Sequence, residues 1–570
     1  MAIGHAPIGA VAICEDFIDT LIDGPYDRML VNEAVTPVVV LELNIAQKEP
    51  PVLLASGDAI GTYAIGVVPG EDVISEATTE TRIYADTWFI TEDDDTKRPN
   101  LIVEPRVKSA IDRTSSKPVV PEATARSQDS RSQATLANSD GELDELIEDY
   151  VIDGHVITKY IGPKYQDSRN LKTRDEALGA SFSASRDSVA VSVAGPTSYL
   201  DRDLTYNTYR GTGGPNGGSE LAGVLKPVMF GQCFNVKGVY VDRTSEIFQI
   251  HNGLIYAVDA VRDRGIAMTF TSNYSTFYEL KLATLNPGEY ATCLAGGYVR
   301  TNIADIEADP STDIRIDARG DFSGYEYVDQ TGTILLRIAE QHASIVPQKI
   351  NRPFFFAVRD GAVGYYADGS APIKISQIFD EMLRPYNGFY GRGNDSRLAI
   401  GMSPVIANVG ASFNFDESDI LELKVLQPPY KPRYRMVYGY KKNWHPHDAS
   451  ELAGSLTDED VALYSLPYSS VKDERGSVLK AHPEAVSVSD IITHYFEYAP
   501  CASRLGAVMD SVSGDELFIT IKLGRIGLKV KDTSVIAVTH PRFGLSGSKF
   551  SVIGRRNDTR TMTVTLTLRG

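Results

Sequence analysis

A chain of 570 residues exceeds what one hydrophobic core supports, and with 42% apolar residues it can fill several, so three or four domains are expected. The formal net charge of -19 argues against broad binding of duplex nucleic acid, which needs clustered cations. No apolar run reaches the roughly 18 residues of a membrane helix, and the run from Val35 is broken by Pro37 and Glu42.

The N-terminal PIGAVAIC run is preceded by no Lys or Arg and meets Glu15 and Asp16 at once, which makes a poor secretory signal. A protein made in a cytoplasm and soluble there is expected. Cys14, Cys233, Cys293 and Cys501 lie far apart with no C-x-x-C pair, and read as reduced, packed thiols.

Residues 1–80 read as a β region with strand-like patches at 38–43 and 63–68. From Thr81, two strands flank an acidic turn at Asp93, Asp94 and Asp95. That turn lacks the spaced ligands and glycine of a calcium loop and reads as solvated. Residues 113–133 are polar and almost free of large apolar side chains, which predicts a surface loop or linker.

Ser139 and Glu142 have capping-box spacing, with Leu143, Leu146, Ile147 and Tyr150 on one helical stripe. Its other face, Glu142, Asp144, Glu145 and Glu148, reads as solvated. Val189, Val191 and Val193 alternate as a half-buried strand.

The GTGGPNGG loop after Tyr209 lacks the lysine and Ser/Thr of a phosphate loop, and its glycines read as suppliers of positive φ. Lys226 and Pro227 then open short strands through Val228, Phe230, Phe234, Val236, Val239, Val241, Ile247, Ile250, Leu254, Tyr256 and Val258.

Between Thr331 and Leu383 the pattern turns helical. Ile334, Leu335, Ile338 and Ile345 suggest one helix, and Ile375, Ile378, Phe379 and Met382 a second, with PFFFAV and VGYYAD as strands between them. In YKPRYRMVYGYKKNW, Tyr434, Met436, Tyr438 and Tyr440 alternate with Arg433, Arg435 and Val437. A single-strand nucleic-acid platform needs such aromatics and cations, but a structural strand with an aromatic inner face explains the same letters.

His445 and His447, with Asp448, are too few for a metal site and read as a loop. A helix from Cys501 to Val512 carries Leu505, Val508, Met509 and Val512 on one side. Leu517, Ile519, Ile521 and Leu523, then Met562, Val564, Leu566 and Leu568, alternate as one-face-buried strands. RRND at Arg555 to Asp558 is the expected hairpin turn of a C-terminal β-barrel.

Four ordered segments together resemble the baseplate hub, or tail-tip, proteins of tailed bacteriophages. They are LANSDGELDELIEDYVIDGHVI, GTGGPNGGSELAGVLKPVMFGQCFNV with IFQIHNGLIYAVDAVRDRG, YGYKKNWHPHDASELAG, and VTHPRFGLSGSKFSVIGRRNDTRTMTVTLTLRG. The resemblance covers roughly residues 81–570, and residues 1–80 match least.

It implies a mainly β fold with α+β insertions: two tail-tube-like antiparallel β-barrel domains plus smaller connecting domains. The expected division is 1–80, an N-terminal β region of open role; 81–200, the first barrel; 201–330, a β-rich connecting domain; 331–415, a small α+β insertion; and 416–570, the second barrel. On this reading the loop glycines near Tyr209 are the hinge between the halves. Three chains would present six barrels to a sixfold tube.

The implied partners are tail-tube, distal-tail and spike or fibre proteins, with transient passage of genomic DNA without specific binding and contact with the host envelope at infection. The implied location is the virion tail tip, after synthesis in the host bacterial cytoplasm. An acidic lumen would not retain DNA. No catalytic residue, cofactor or metal is expected. A receptor-binding tail-tip adhesin and a cell-wall hydrolase stand as alternatives. The hydrolase would need two carboxylates about 5 to 10 Å apart in a cleft, and no Ser-His-Asp, Cys-His or H-E-x-x-H pattern supports it. PRFGLSG at 541–547 reads as a strand-connecting turn.

Overall fold

The computed structural model describes residues 29–30, 35–48, 79–95, 98–164, 170–193, 198–204, 207–303, 314–393, 397–402, 410–514 and 516–570. The strand expected at 63–68, the PIGAVAIC run and Cys14 lie outside them. The fold is mainly β and contains several sheets.

The first large sheet runs Thr79–Ala85, Pro37–Gln47, Val156–Pro163, Lys172–Ser185, Ser188–Val193, Ala134–Ala137 and Val107–Ser109 in space, every pair antiparallel. Pro37–Gln47, expected in a separate N-terminal region, lies inside this sheet. Its near-continuous apolar run is explained by burial on both faces. Leu41, Leu43 and Ile45 join the core of Leu136, Ile157, Val189 and Val191, while Val38 and Val40 pack against Phe89 and Val103. The stretch 104–109 touches both ends of the sheet: Ala85 N–H donates to Glu104 O at 2.9 Å, and Ala137 N–H to Arg106 O at 2.6 Å.

The second large sheet runs Phe413–Phe415, Val535–His540, Leu545–Asp558, Thr563–Arg569, Phe518–Leu523 and Ile420–Leu426. Period-2 alternation puts Ile519, Ile521, Leu523, Val564, Leu566 and Leu568 in one core, as the sequence predicts. Its two end strands are consecutive in the chain, joined by residues 416–419. Among the described residues neither ladder closes into a barrel.

Residues 113–133, expected as a loop, instead supply two strands. Arg113–Ser116 pairs with both Gln128–Arg131 and Leu545–Asp558. Polar side chains suffice there because the strands gain backbone hydrogen bonds and their charges find partners. RRND is not the turn either: Leu545–Asp558 runs straight through it, and the chain reverses at 559–562.

Between these sheets the chain builds two five-stranded sheets and a helical layer. The Val228–Val236 strand pairs with Gly364–Ala367 through Val228 to Gly231, and with Ile314–Asp321 from Gln232 onward. The Thr331–Arg337 helix continues as one π turn, Ile338–His342, and packs with Ile375–Leu383 and Tyr498–Val512 in the largest core, as the two apolar stripes imply.

PFFFAV is a helix, Arg352–Ala357, not a strand: Pro353 sits in its first turn, where a missing N–H costs nothing. The helix expected near Ser139 shrinks to Glu145–Glu148. Asn138, not Ser139, organises its approach, accepting from Leu143 N–H at 2.8 Å and donating to Asp144 at 2.7 Å.

Candidate assembly site

The seam between the two large sheets holds a cluster of buried charges. Arg113 donates to Asp129 at 2.9 Å and meets Asp532 at 2.8 Å, and Arg131 donates to Asp175 at 2.9 Å, with these arginines and Asp129 and Asp175 almost wholly enclosed. Lys117 Nζ donates to the carbonyls of Asp532 and Val552, and burial lowers it to about 8. Lys159 reaches across to Thr559 Oγ1 at 3.1 Å, whose N–H donates to Asp112 at 3.0 Å.

Burial opposes the charge of Arg113, yet Asp532 and Asp129 outweigh it and hold the group above its usual range. Burial also lowers Arg555 to about 10, against the pull of Asp532. Asp532 stays below the usual carboxylate range in spite of its burial, because Arg113, Arg555 and Lys117 surround it. A cavity of about 20 Å³ remains here, lined by Lys159, Arg174, Arg555 and Thr559, with room for about one water. No local pattern signals this cluster, since Arg113 and Asp532 are far apart in the chain.

The second organising feature is Gly231, where the Val228–Val236 strand passes from one sheet partner to the other. Its φ is +62°, and a Cβ there would sit 2.0 Å from Val363 O. Gly364 opposite is equally tight, 2.0 Å from Gln232 O. The loop glycines expected as the hinge do something else. Gly211, Gly213, Gly214 and Gly217 do adopt positive φ, but their loop closes on itself through Gly213 N–H to Gly217 O at 2.7 Å, and rests on Tyr298. Lys226 and Pro227 lead into the strand as read.

The remaining candidate residues are structural. His445 accepts from Lys237 N–H at 3.1 Å and faces Asp368 at 3.4 Å, a contact that holds the Asp368 carboxyl well below its usual range. His447 points away into its own enclosed niche beside Glu451. No group of three or more His, Cys, Asp or Glu among the described residues is arranged to hold a metal.

Met436 and Tyr438 are buried, the latter donating to Pro385 O at 3.0 Å, while Arg433 is paired with Glu122 at 2.6 Å. The aromatic face is therefore core rather than a stacking platform. Cys233, Cys293 and Cys501 are buried free thiols, and burial pushes Cys501 up to about 12. Asp93 and Asp94 form an exposed turn. The helix carboxylates expected to be solvated are partly engaged: Glu142 with Arg106, and Glu145 with Arg82 at 2.9 Å.

Asp360 is a cluster the sequence reading misses. It accepts from Tyr386 at 2.9 Å, Tyr495 at 2.7 Å and Arg504 at 2.7 Å, tying the helical layer together.

No family model and no curated protein matches the sequence. Among solved structures, the chain is similar to one in the virion of a native gene transfer agent particle, at 11% identity and TM-score 0.39, over 65% of this chain and 91% of that one. It is also similar to the tail protein from Neisseria meningitidis MC58, at 8% identity and TM-score 0.33, over 82% of this chain and 95% of that one. A third similarity is to the 43 kDa tail protein of prophage MuSo2 from Shewanella oneidensis, at 10% identity and TM-score 0.32, again over 82% and 95%.

Proposed function

We propose that the chain is a structural virion protein, a baseplate hub at the distal end of a phage tail that joins the tail tube to tip, spike or fibre proteins. The observation that carries this reading is the pair of large, mostly antiparallel sheets, each with its ends drawn together, that one chain fuses through the added Arg113–Ser116 strand. In the first, the residues just before the end strand Val107–Ser109 reach the opposite end strand, where Glu104 O accepts from Ala85 N–H; in the second, the end strands are joined by 416–419. Two barrel-like units per chain, three chains per particle, would match six positions of a tube. The ordered sequence resemblance supports the same assignment. The seam suits this role, because a hub must hold its two units in fixed relation while neighbours load them.

Cryo-electron microscopy of the intact particle tests this. Three copies at the end of the tube, with the two large sheets facing successive tube positions and acidic side chains lining the bore, is the expected result. A peripheral location, or a basic bore, would refute it.

A further inference from the structure

His251 stands in the short turn between Ile247–Gln249 and Ile255–Asp263 and is 5% exposed. Its Nδ1 lies 3.0 Å from the backbone nitrogen of Met229, at the start of the Val228–Val236 strand. A backbone N–H can only donate, so Nδ1 carries the lone pair and the neutral ring's one hydrogen sits on Nε2, 3.7 Å from Asp321. The next residue of the turn closes the same end of the strand, where Asn252 N–H donates to Pro227 O at 2.8 Å.

A second proton would give Nδ1 a hydrogen of its own. Two N–H groups would then face each other, and the Met229 N–H, on a fully buried residue, would be left without an acceptor. The surroundings do little to favour the charged ring. Asp321 is already paired with Arg337 and accepts from Ser323 Oγ at 2.9 Å, and His342 adds repulsion whenever it is charged. Burial lowers His251 to about 4, against the pull of Asp321.

The neighbouring histidines lack this geometry. His342 Nδ1 faces Leu204 O at 2.7 Å, so it is already the donor and keeps its bond when protonated. His445 Nδ1 accepts from Lys237 N–H at 3.1 Å, beyond the far end of the same strand, but its side chain is 24% exposed and water can replace the lost acceptor.

We propose that His251 is a proton-operated latch: neutral, it ties the turn at 250–254 to the start of the Val228–Val236 strand; protonated, it releases Met229 and the turn parts from the strand. Asn252 and Gly253 are partly exposed, so the turn opens to solvent without unfolding either sheet. Gly231, where the strand passes from one sheet partner to the other, lies two residues beyond the released amide, so acid loosens that junction first. The latch does not rest on the hub reading.

Hydrogen exchange of the full-length protein, read at single amides by mass spectrometry and corrected for the intrinsic rate at each pH, tests this. Opening returns His251 to its ordinary value near 6.5, so protection of the Met229 amide is expected to fall about thirtyfold between about pH 7.5 and about pH 5. Protection of the Asn252 amide falls with it. The fall should follow the slope of one proton, about tenfold per pH unit below 6.5, and level off near 4. His251→Asn places an amide oxygen where Nδ1 stood and cannot take up a proton, so it is expected to keep Met229 protected and to remove this pH dependence. A flat profile at Met229 in the unaltered chain would overturn the proposal whether or not the variant folds. An equally steep fall in His251→Asn would overturn it as well.

Discussion

His447 is enclosed among Glu451, 3.8 Å from Nδ1, and Arg315, and burial with the Arg315 charge lowers it to about 4. Burial likewise lowers His251 beside Asp321, His342 beside Phe230, and His494 between Tyr365 and Trp444. All four take protons more readily in the unfolded chain, near 6.5. Their contribution is therefore complete above that pH and is lost as the pH falls, at about 1.4 kcal/mol per pH unit for each group until its folded value is reached. A lower urea midpoint at about pH 5 than near pH 7.5 is expected, with His447→Gln narrowing the gap. Equal midpoints at the two pH values would contradict this account. Asp360 gives a second residue-scale expectation. Asp360→Ala strands the buried Arg504 guanidinium and takes the acceptor from the Tyr495 hydroxyl, while Tyr386 keeps Thr331 at 2.9 Å, a loss of about 3 to 5 kcal/mol readable in denaturant unfolding.

At the scale of elements, Gly231 decides how the Val228–Val236 strand serves two sheets. Gly231→Ala must both hold a left-handed backbone and push Val363 O away, so a cost of about 3 kcal/mol or more is expected. Gly223→Ala, also at positive φ but with open space around it, should cost only about 1 kcal/mol. Thermal unfolding of the two variants makes the comparison, and equal costs would show that close approach is not what fixes Gly231.

Elements with one buried face were legible in the sequence: Phe518–Leu523, Thr563–Arg569, Ile375–Leu383 and Tyr498–Val512 each carry their period in their own residues. Arg113–Ser116 and Gln128–Arg131 were not, because nothing local distinguishes a polar strand completed by a distant edge from a loop. Arg352–Ala357 misled for another reason. Its aromatics favour a strand, but the proline-initiated turn and packing against the Thr331–Arg337 helix outweigh that preference. The seam was the least visible part of all, since its ion pairs join residues that share no local pattern.

For the whole molecule, the seam determines whether the two large sheets behave as one body. Arg113 is held by Asp129 from its own hairpin and by Asp532 from the C-terminal half, and its neighbours at Ser115 and Ser116 are paired with Arg555 and Gly554. Neither half can detach without exposing this ladder and leaving buried charge uncompensated, which costs several kcal/mol per ion. Calorimetry of the full chain should therefore show the large sheets melting in a shared transition. Arg113→Ala removes the charge common to both sides and leaves Asp129 and Asp532 enclosed beside each other's remaining partners, a destabilisation of about 3 to 5 kcal/mol. The coupling energy is spent at the seam and not within either core, so the variant's transition should split or broaden while each sheet keeps its own β circular dichroism through the first phase. Arg113→Lys, which keeps a charge but cannot reach both carboxylates with a planar fork, should fall between the two. A single transition simply moved to lower temperature in Arg113→Ala would mean that the sheets are bound together by the central layer, and the seam would lose its claim to hold the two units in register.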